Sequence, residues 1–200
     1  GTLRYGYLGY PNTVPGSLDP DAPVDSLDQL YVQAVLVDPI FRGKVESLAL
    51  ASSGMVPMSK RHGGQPFERW ESVKDDVEKR SLVAWASLKR VERAIEKVTR
   101  VYQEEPSRLL DVCRQMLVFA ELGHLKACLQ AIEHDEEILV LRIKNRLDPG
   151  YDGSQTGGFR NLSVNLQIVS PEALALGLEG HVCELQLVMD NFARAMSEDG

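Results

Sequence analysis

The 200-residue sequence predicts an α/β fold of the α+β kind, a mixed sheet flanked by helices behind a helical N-terminal segment and an extended arm. Three observations predict it. Residues 138–147, 161–169 and 181–188 alternate apolar and polar side chains at the period of a strand. Most segments upstream of them repeat apolar residues at helical spacing. Glycine and proline punctuate the boundaries between the two patterns.

Residues 1–24 are rich in Gly, Pro, Tyr and Asp and read as an extended arm with turns at Pro11-Asn12 and Pro15-Gly16. Tyr5, Tyr7 and Tyr10 suit docking on a partner or on the arm's own domain. Residues 25–66 are expected to form a helical segment and a loop. The helix is capped at Asp25 or Ser26 and broken at Pro39, and the loop carries Lys60, Arg61 and His62. Residues 67–200 are expected to form the main domain.

That domain opens with a long helical pattern over residues 67–103. Val83, Leu88, Val91, Ile95 and Val98 mark its buried stripe, and Lys89, Arg90, Arg93, Lys97 and Arg100 supply cations. Pro106 ends it. The apolar run at residues 108–119 has no period and fits a buried strand or a buried helix equally well. Leu122, Leu125, Leu129 and Ile132 fall on one face of a helix. Three strands follow. Leu139, Leu141 and Ile143 oppose Arg142, Lys144 and Arg146; Leu162, Val164, Leu166 and Ile168 oppose Ser163, Asn165 and Gln167; Cys183, Leu185 and Leu187 oppose Glu184 and Gln186. A short helix at residues 190–196 closes the chain.

The composition, 44% hydrophobic and 26% charged, is that of an ordinary globular protein. No apolar run reaches the length of a membrane span, so the chain is not expected to be integral to a bilayer. A net charge of −7 speaks against a nucleic-acid partner while leaving room for a local basic pocket. Cys113, Cys128 and Cys183 form no C-x-x-C pair and read as reduced, buried thiols of an intracellular, reducing compartment. Gly1 is not an initiator methionine, so a removed leader, and with it the choice between cytosol and organelle, stays open.

If the three strands are neighbours, their polar faces merge into one surface of carboxylate, amide and guanidinium groups. Glu184, inside an otherwise apolar strand, requires a cationic partner. Plainer readings stand beside each candidate. Lys89, Arg93 and Lys97 at four-residue spacing, with Glu92 and Glu96 between them, also describe a solvated helix face. Asp111 caps a helix if residues 108–119 are helical. Phe159, after two glycines, also suits a loop anchor. His181 and Cys183 lack the second ligand pair that a structural metal site needs.

Several motifs occur in a telling order: Lys89 and Lys97; Asp111 in Leu-Leu-Asp-Val-Cys-Arg; Lys144-Asn145-Arg146; Gly158-Phe159-Arg160-Asn161-Leu162-Ser163; and Val182-Cys183-Glu184-Leu185-Gln186-Leu187. Together they resemble the RelA/SpoT-like (p)ppGpp synthetase domains of the nucleotidyltransferase-fold superfamily, over roughly residues 80–192. The resemblance implies a nucleotidyltransferase-like fold and the family's reaction, transfer of pyrophosphate from ATP to the 3′-hydroxyl of GDP or GTP. It implies that Lys89, Arg93 and Lys97 neutralise ATP phosphates and that Asp111 ligates Mg²⁺. Glu184 then activates the acceptor hydroxyl or shares the metal, and Phe159 stacks on guanine. Lys144, Arg146 and Gln186 complete the implied nucleotide-binding set.

The chain also departs from that pattern. Phe159 stands where the family has tyrosine, Asn161 and Ser163 replace a serine and a histidine, and the interval from Phe159 to Glu184 is lengthened around residues 170–180. The leading expectation is a diverged RelA/SpoT-like domain with a nucleotide-binding pocket. Beside it stand a pseudoenzyme serving as a subunit of a larger assembly, suggested by the Tyr- and Pro-rich arm, and an active synthetase. A helical scaffold, in which the strand-like alternation is misleading, ranks behind these.

Overall fold

The computed structural model describes residues 11–59 and 64–198. Tyr5, Tyr7, Tyr10, Lys60, Arg61 and His62 lie outside the described residues.

Helix α1 (Leu27–Ala51) begins where the Ser26 hydroxyl accepts the Gln29 N–H, as its N-cap position predicts. Leu30, Ala34, Val37, Phe41, Val45 and Leu48 recur at helical spacing and are all buried. Pro39 does not break this helix; it sits inside it on the exposed side. A proline there removes one backbone hydrogen bond. The continuous buried stripe on the opposite face outweighs that loss.

The sheet contains β1 (Met55–Pro57), β2 (Phe67–Arg69), β3 (Cys113–Phe119), β4 (Ile138–Asn145), β5 (Leu162–Ile168) and β6 (Cys183–Met189), in the spatial order β2-β1-β3-β6-β5-β4. Among the described residues, β3 and β6 are the one parallel pair and the other neighbouring pairs are antiparallel. The run at residues 108–119 therefore resolves into a central strand. It shows no period because the buried Gln115 sits among Cys113 and Leu117 on the core face, while exposed Arg114 shares the other face with the apolar Met116 and Val118. The expected division at residue 66 falls between β1 and β2, which pair within this one sheet.

The long helix expected over residues 67–103 is not formed. The segment instead contains β2, α2 (Trp70–Val73), α3 (Val77–Ser81), an extended stretch and α4 (Val91–Val101). Asp76 starts α3 by accepting the Lys79 N–H. The extended stretch then spends its backbone groups on the sheet: Ser59 N–H donates to Leu82 O, Ala84 N–H to Pro57 O and Lys89 N–H to Val112 O. Those bonds replace the i to i+4 ladder, so sheet pairing overrides helical propensity here. In α4 only Ala94 and Val98 are buried, while Val91 and Ile95 of the expected stripe are half exposed.

Helix α5 (Leu122–His134) forms where expected, α6 (Pro171–Ala175) occupies the lengthened interval, and α7 (Asp190–Glu198) closes the described chain. Helices α1 and α5 cover one sheet face and, with Leu117, Leu185, Leu187, Val164 and Leu166, build the main core. On the other face, Val118 and Val188 meet Ala193 of α7 in a smaller cluster that also takes in Met116 and Phe159. The alternation in β4 fails at one point. Val140 pairs with Leu166 and Arg142 with Asn165, which leaves Leu141 as the extra residue of a bulge and sets Leu139 opposite Gln167 on the polar side. The bulge re-aims Arg142 and Lys144 into line with the polar residues of β5.

Among the described residues no helix is long and apolar enough to cross a membrane. Phe41 has no exposed surface and links α1 to the core. Phe41→Ala is expected to lower unfolding stability by about 3–5 kcal/mol in a urea titration.

Candidate functional site

Strand register assembles the site. Arg114, Glu184, Asn165 and Arg142 stand side by side across β3, β6, β5 and β4, and Met116, Gln186, Ser163 and Lys144 form the next rung. Because side chains alternate, both rungs face away from the main core. A cavity of about 720 Å³ lies on this face. Six cations line it, Lys97, Arg108, Arg114, Arg142, Lys144 and Arg146, against three carboxylates, Glu105, Asp111 and Glu184. A chain with a net charge of −7 thus concentrates positive charge in one concave place.

Asp111 precedes β3 and accepts both Lys89 Nζ at 2.8 Å and Lys97 Nζ at 2.9 Å on the same oxygen, Oδ2. Burial works to raise its carboxyl, but the two ammonium groups outweigh it and hold the pKa below the ordinary value. Its Oδ1 is buried with no hydrogen-bond partner. Lys89 is itself placed by its backbone, since the Tyr31 hydroxyl donates to Lys89 O at 2.5 Å. Glu184 Oε1 accepts the Ser163 hydroxyl at 2.5 Å, so a neighbouring strand grips the carboxylate.

On β4, burial lowers the pKa of Lys144, and repulsion from Arg142 and Arg146 lowers it further against the pull of Glu184. This ammonium is poorly served by the protein alone and well suited to an anion. Arg146 Nη1 donates to Asn161 Oδ1 at 2.9 Å. A guanidinium only donates, so the Asn161 oxygen must face it. The amide nitrogen, Nδ2, is therefore the atom left buried without a partner. Gly157 and Gly158 both have positive φ, +59° and +82°, which a side chain strongly disfavours. Their turn delivers Phe159 to the cavity edge, where it also packs on the smaller apolar cluster.

Of the site residues expected from sequence, Lys97, Asp111, Lys144, Arg146, Phe159, Glu184 and Gln186 line the cavity. Lys89 reaches it through Asp111. Arg93 does not: its side chain is 74% exposed and pairs with Glu96 at 3.1 Å, as a solvated helix face requires. His181 is wholly buried, faces Gln33 Oε1 across 3.3 Å, and burial pushes its pKa down to about 3. Sequence reasoning missed Arg114, Arg108, Tyr102 and the arm residues Pro11, Pro20 and Pro23, all of which line the cavity. Lys97 Nζ and the Arg108 guanidinium lie 5.6 and 5.8 Å from the Tyr102 ring centre. Arg114 becomes legible only once residues 108–119 are recognised as a strand.

Asp111 and Glu184 also bear on a metal. Among the described residues, no cluster of three or more His, Cys, Asp or Glu side chains is placed to hold an ion. Mg²⁺ does not need one, since it commonly takes one or two carboxylates and completes its shell with water and substrate phosphate. Two carboxylates on one cavity, one with an unpartnered buried oxygen, fit that donor set.

No protein-family model matches the chain, and no curated protein matches it in sequence. Solved structures do match. The small alarmone synthetase 1 from Bacillus subtilis is 13% identical with a TM-score of 0.55, the match covering 88% of this chain and 78% of that one. The small alarmone synthetase 2 from Bacillus subtilis is 12% identical with a TM-score of 0.51, over 88% and 78% of the two chains. The chain has the RelA/SpoT-like alarmone synthetase fold, a mixed sheet flanked by helices.

Two outcomes are expected at this site. Asp111→Asn leaves Lys89 and Lys97 without their anion and should cost roughly 1–3 kcal/mol by urea titration. Asp111 has a depressed pKa, so its contribution is full above the unfolded carboxyl value of 3.8 and is lost as pH falls through the lower folded value. The stability difference between wild type and Asp111→Asn should therefore shrink at acid pH. Lys144→Met relieves cation repulsion and should raise the melting temperature of the free protein.

Proposed function

We propose that the cavity binds a Mg²⁺-bound nucleoside triphosphate beside a guanine nucleotide and transfers pyrophosphate from ATP to the acceptor's 3′-hydroxyl, the bond from the β-phosphorus to its α–β bridging oxygen breaking and AMP leaving. One observation carries this reading: three carboxylates, Asp111 and Glu184 among them, and six cations converge on one cavity of the sheet face. Transfer at phosphorus is mostly positioning and charge neutralisation, which is what such a set supplies. The fold shared with two alarmone synthetases supports the choice of reaction.

Lys97, Arg114, Arg142, Lys144 and Arg146 would hold the phosphate oxygens, and binding would relieve the repulsion among the last three. Asp111 and Glu184 would hold the divalent cation, which when bound neutralises charge on the transferring group and orients it. Glu184, with Oε1 fixed by Ser163, would take the proton from the acceptor hydroxyl. Phe159 would lie against the guanine ring. Asn161 Nδ2, the buried donor without a partner, suits a ring acceptor such as a carbonyl oxygen.

A second reading has its own observation. Lys89 and Lys97 both neutralise Asp111 through Oδ2, an arrangement that also serves a silent domain holding itself together as part of an assembly. Nucleotide binding and turnover separate the two. Mg-ATP at about 100 times its Kd should raise the melting temperature by roughly 5 °C or more. Incubation with Mg-ATP and GDP or GTP should yield a guanosine carrying a 3′-pyrophosphate by ion-exchange chromatography, and Glu184→Gln should cut that rate by about a hundredfold or more. Binding without product would favour the silent domain. Neither binding nor product from folded protein would overturn the nucleotide reading.

A further inference from the structure

The side chain of Asn12 ties the arm to the site. Asn12 has no exposed surface. Its Nδ2 donates to Ser107 O at 2.9 Å and Leu109 O at 3.1 Å, and its backbone N–H donates to Ser107 O at 2.8 Å. Its Oδ1 accepts the Val182 N–H at 2.7 Å, and its own carbonyl accepts the Val24 N–H at 2.9 Å. The amide orientation is fixed chemically, since carbonyls only accept and a backbone N–H only donates.

The partners of this amide are the lead-ins to two strands. Leu109 stands two residues before Asp111, and Val182 two residues before Glu184. The parallel pairing of β3 and β6 begins at Cys113 and Cys183, so the backbone ladder does not join the chains at the point where Asn12 does. We propose that Asn12 is a positioning residue: its amide bridges the entrances of β3 and β6 and so sets the separation of the Asp111 and Glu184 carboxylates. The inference rests on the nucleotide-site reading above. It makes residues 11–24 part of the site rather than a tether.

The arm's seating agrees with that role. Gln33 Nε2 donates to Thr13 O at 3.0 Å, and the Thr13 N–H donates to Gly180 O at 3.1 Å. A Cβ on Gly180 would meet Thr13 Oγ1 at 2.1 Å and Ser17 O at 2.6 Å, so the backbone approach there admits only glycine. Pro11 and Pro23, the ends of the anchored turn, both reach the cavity wall.

The test uses the full chain as Asn12→Ala, as Gly180→Ala, which crowds the arm at Thr13 and Ser17 while leaving Asn12 in place, and as Val45→Ala, a core control on α1. Hydrogen–deuterium exchange and titration with Mg-ATP are read on each. Both arm variants should speed exchange at residues 109–114 and 182–186 together and weaken Mg-ATP binding roughly tenfold or more. ATP measured in excess EDTA, held by the cations, should weaken much less. Exchange at the two segments matching Val45→Ala would overturn the inference. So would loosened segments with Mg-ATP affinity equal to that of the control. If the wild type binds no Mg-ATP, the functional reading and this inference fall together, whereas wild-type binding with insensitive arm variants sinks the inference alone.

Discussion

The parallel pairing of β3 with β6 is the constraint on which the rest of the structure depends. Parallel neighbours cannot be joined by a hairpin, and here α5, β4, β5 and α6 fill the sequence between them. In return, two distant segments begin side by side, with Cys113 opposite Cys183 and Arg114 opposite Glu184. Asp111, just ahead of β3, and Glu184, within β6, therefore share one cavity. A register slip of one residue would turn Glu184 toward Leu185's place in the core, where a carboxylate has no partner. The apolar odd-numbered residues of β6 guard against that slip.

Charge is the second organising force. Arg142, Lys144 and Arg146 come from one edge strand and its exit and repel one another. The fold tolerates the cluster because Glu184 lies near Lys144, Asn161 takes one Arg146 donor, and the remaining surface stays wet. Asp111 shows the opposite balance, one carboxylate between two ammonium groups. Stability and binding thus pull apart on the two sides of the cavity: an incoming polyphosphate would relieve the first cluster and compete with Asp111 for the cations of the second.

Much of this is legible in the amino-acid sequence, and the exceptions have physical causes. Strands β4, β5 and β6 alternate apolar and polar side chains, so they can be placed from the pattern alone, and Lys144, Glu184 and Gln186 with them, even though the polar residues of β5 are themselves buried. Strand β3 carries no such signal, because the buried Gln115 breaks its apolar face and the apolar Met116 and Val118 follow Arg114 on the other, and Arg114 is missed with it. The segment before α4 reads as helical because its residues favour helix, yet backbone bonds to Pro57, Ser59 and Val112 draw it out. Arg93 fits the four-residue spacing of Lys89 and Lys97, but Lys89 lies in the extended stretch before α4, so that spacing is not one helical face. Nothing in the composition of residues 11–24 says that Asn12 buries itself between two strand entrances. The bulge at Leu141 is invisible for a similar reason, since an extra residue leaves the local pattern plausible in either register.

The most direct test of the account replaces Mg²⁺ with paramagnetic Mn²⁺ and follows backbone amide signals of the full chain by NMR in the presence of ATP. The account predicts strong broadening at residues 111–114, 142–146 and 183–186, lost in Glu184→Gln, with amides of α5 such as Leu125 and Ile132 unaffected. Broadening centred away from that sheet face, or none beyond that produced by free Mn²⁺, would contradict it.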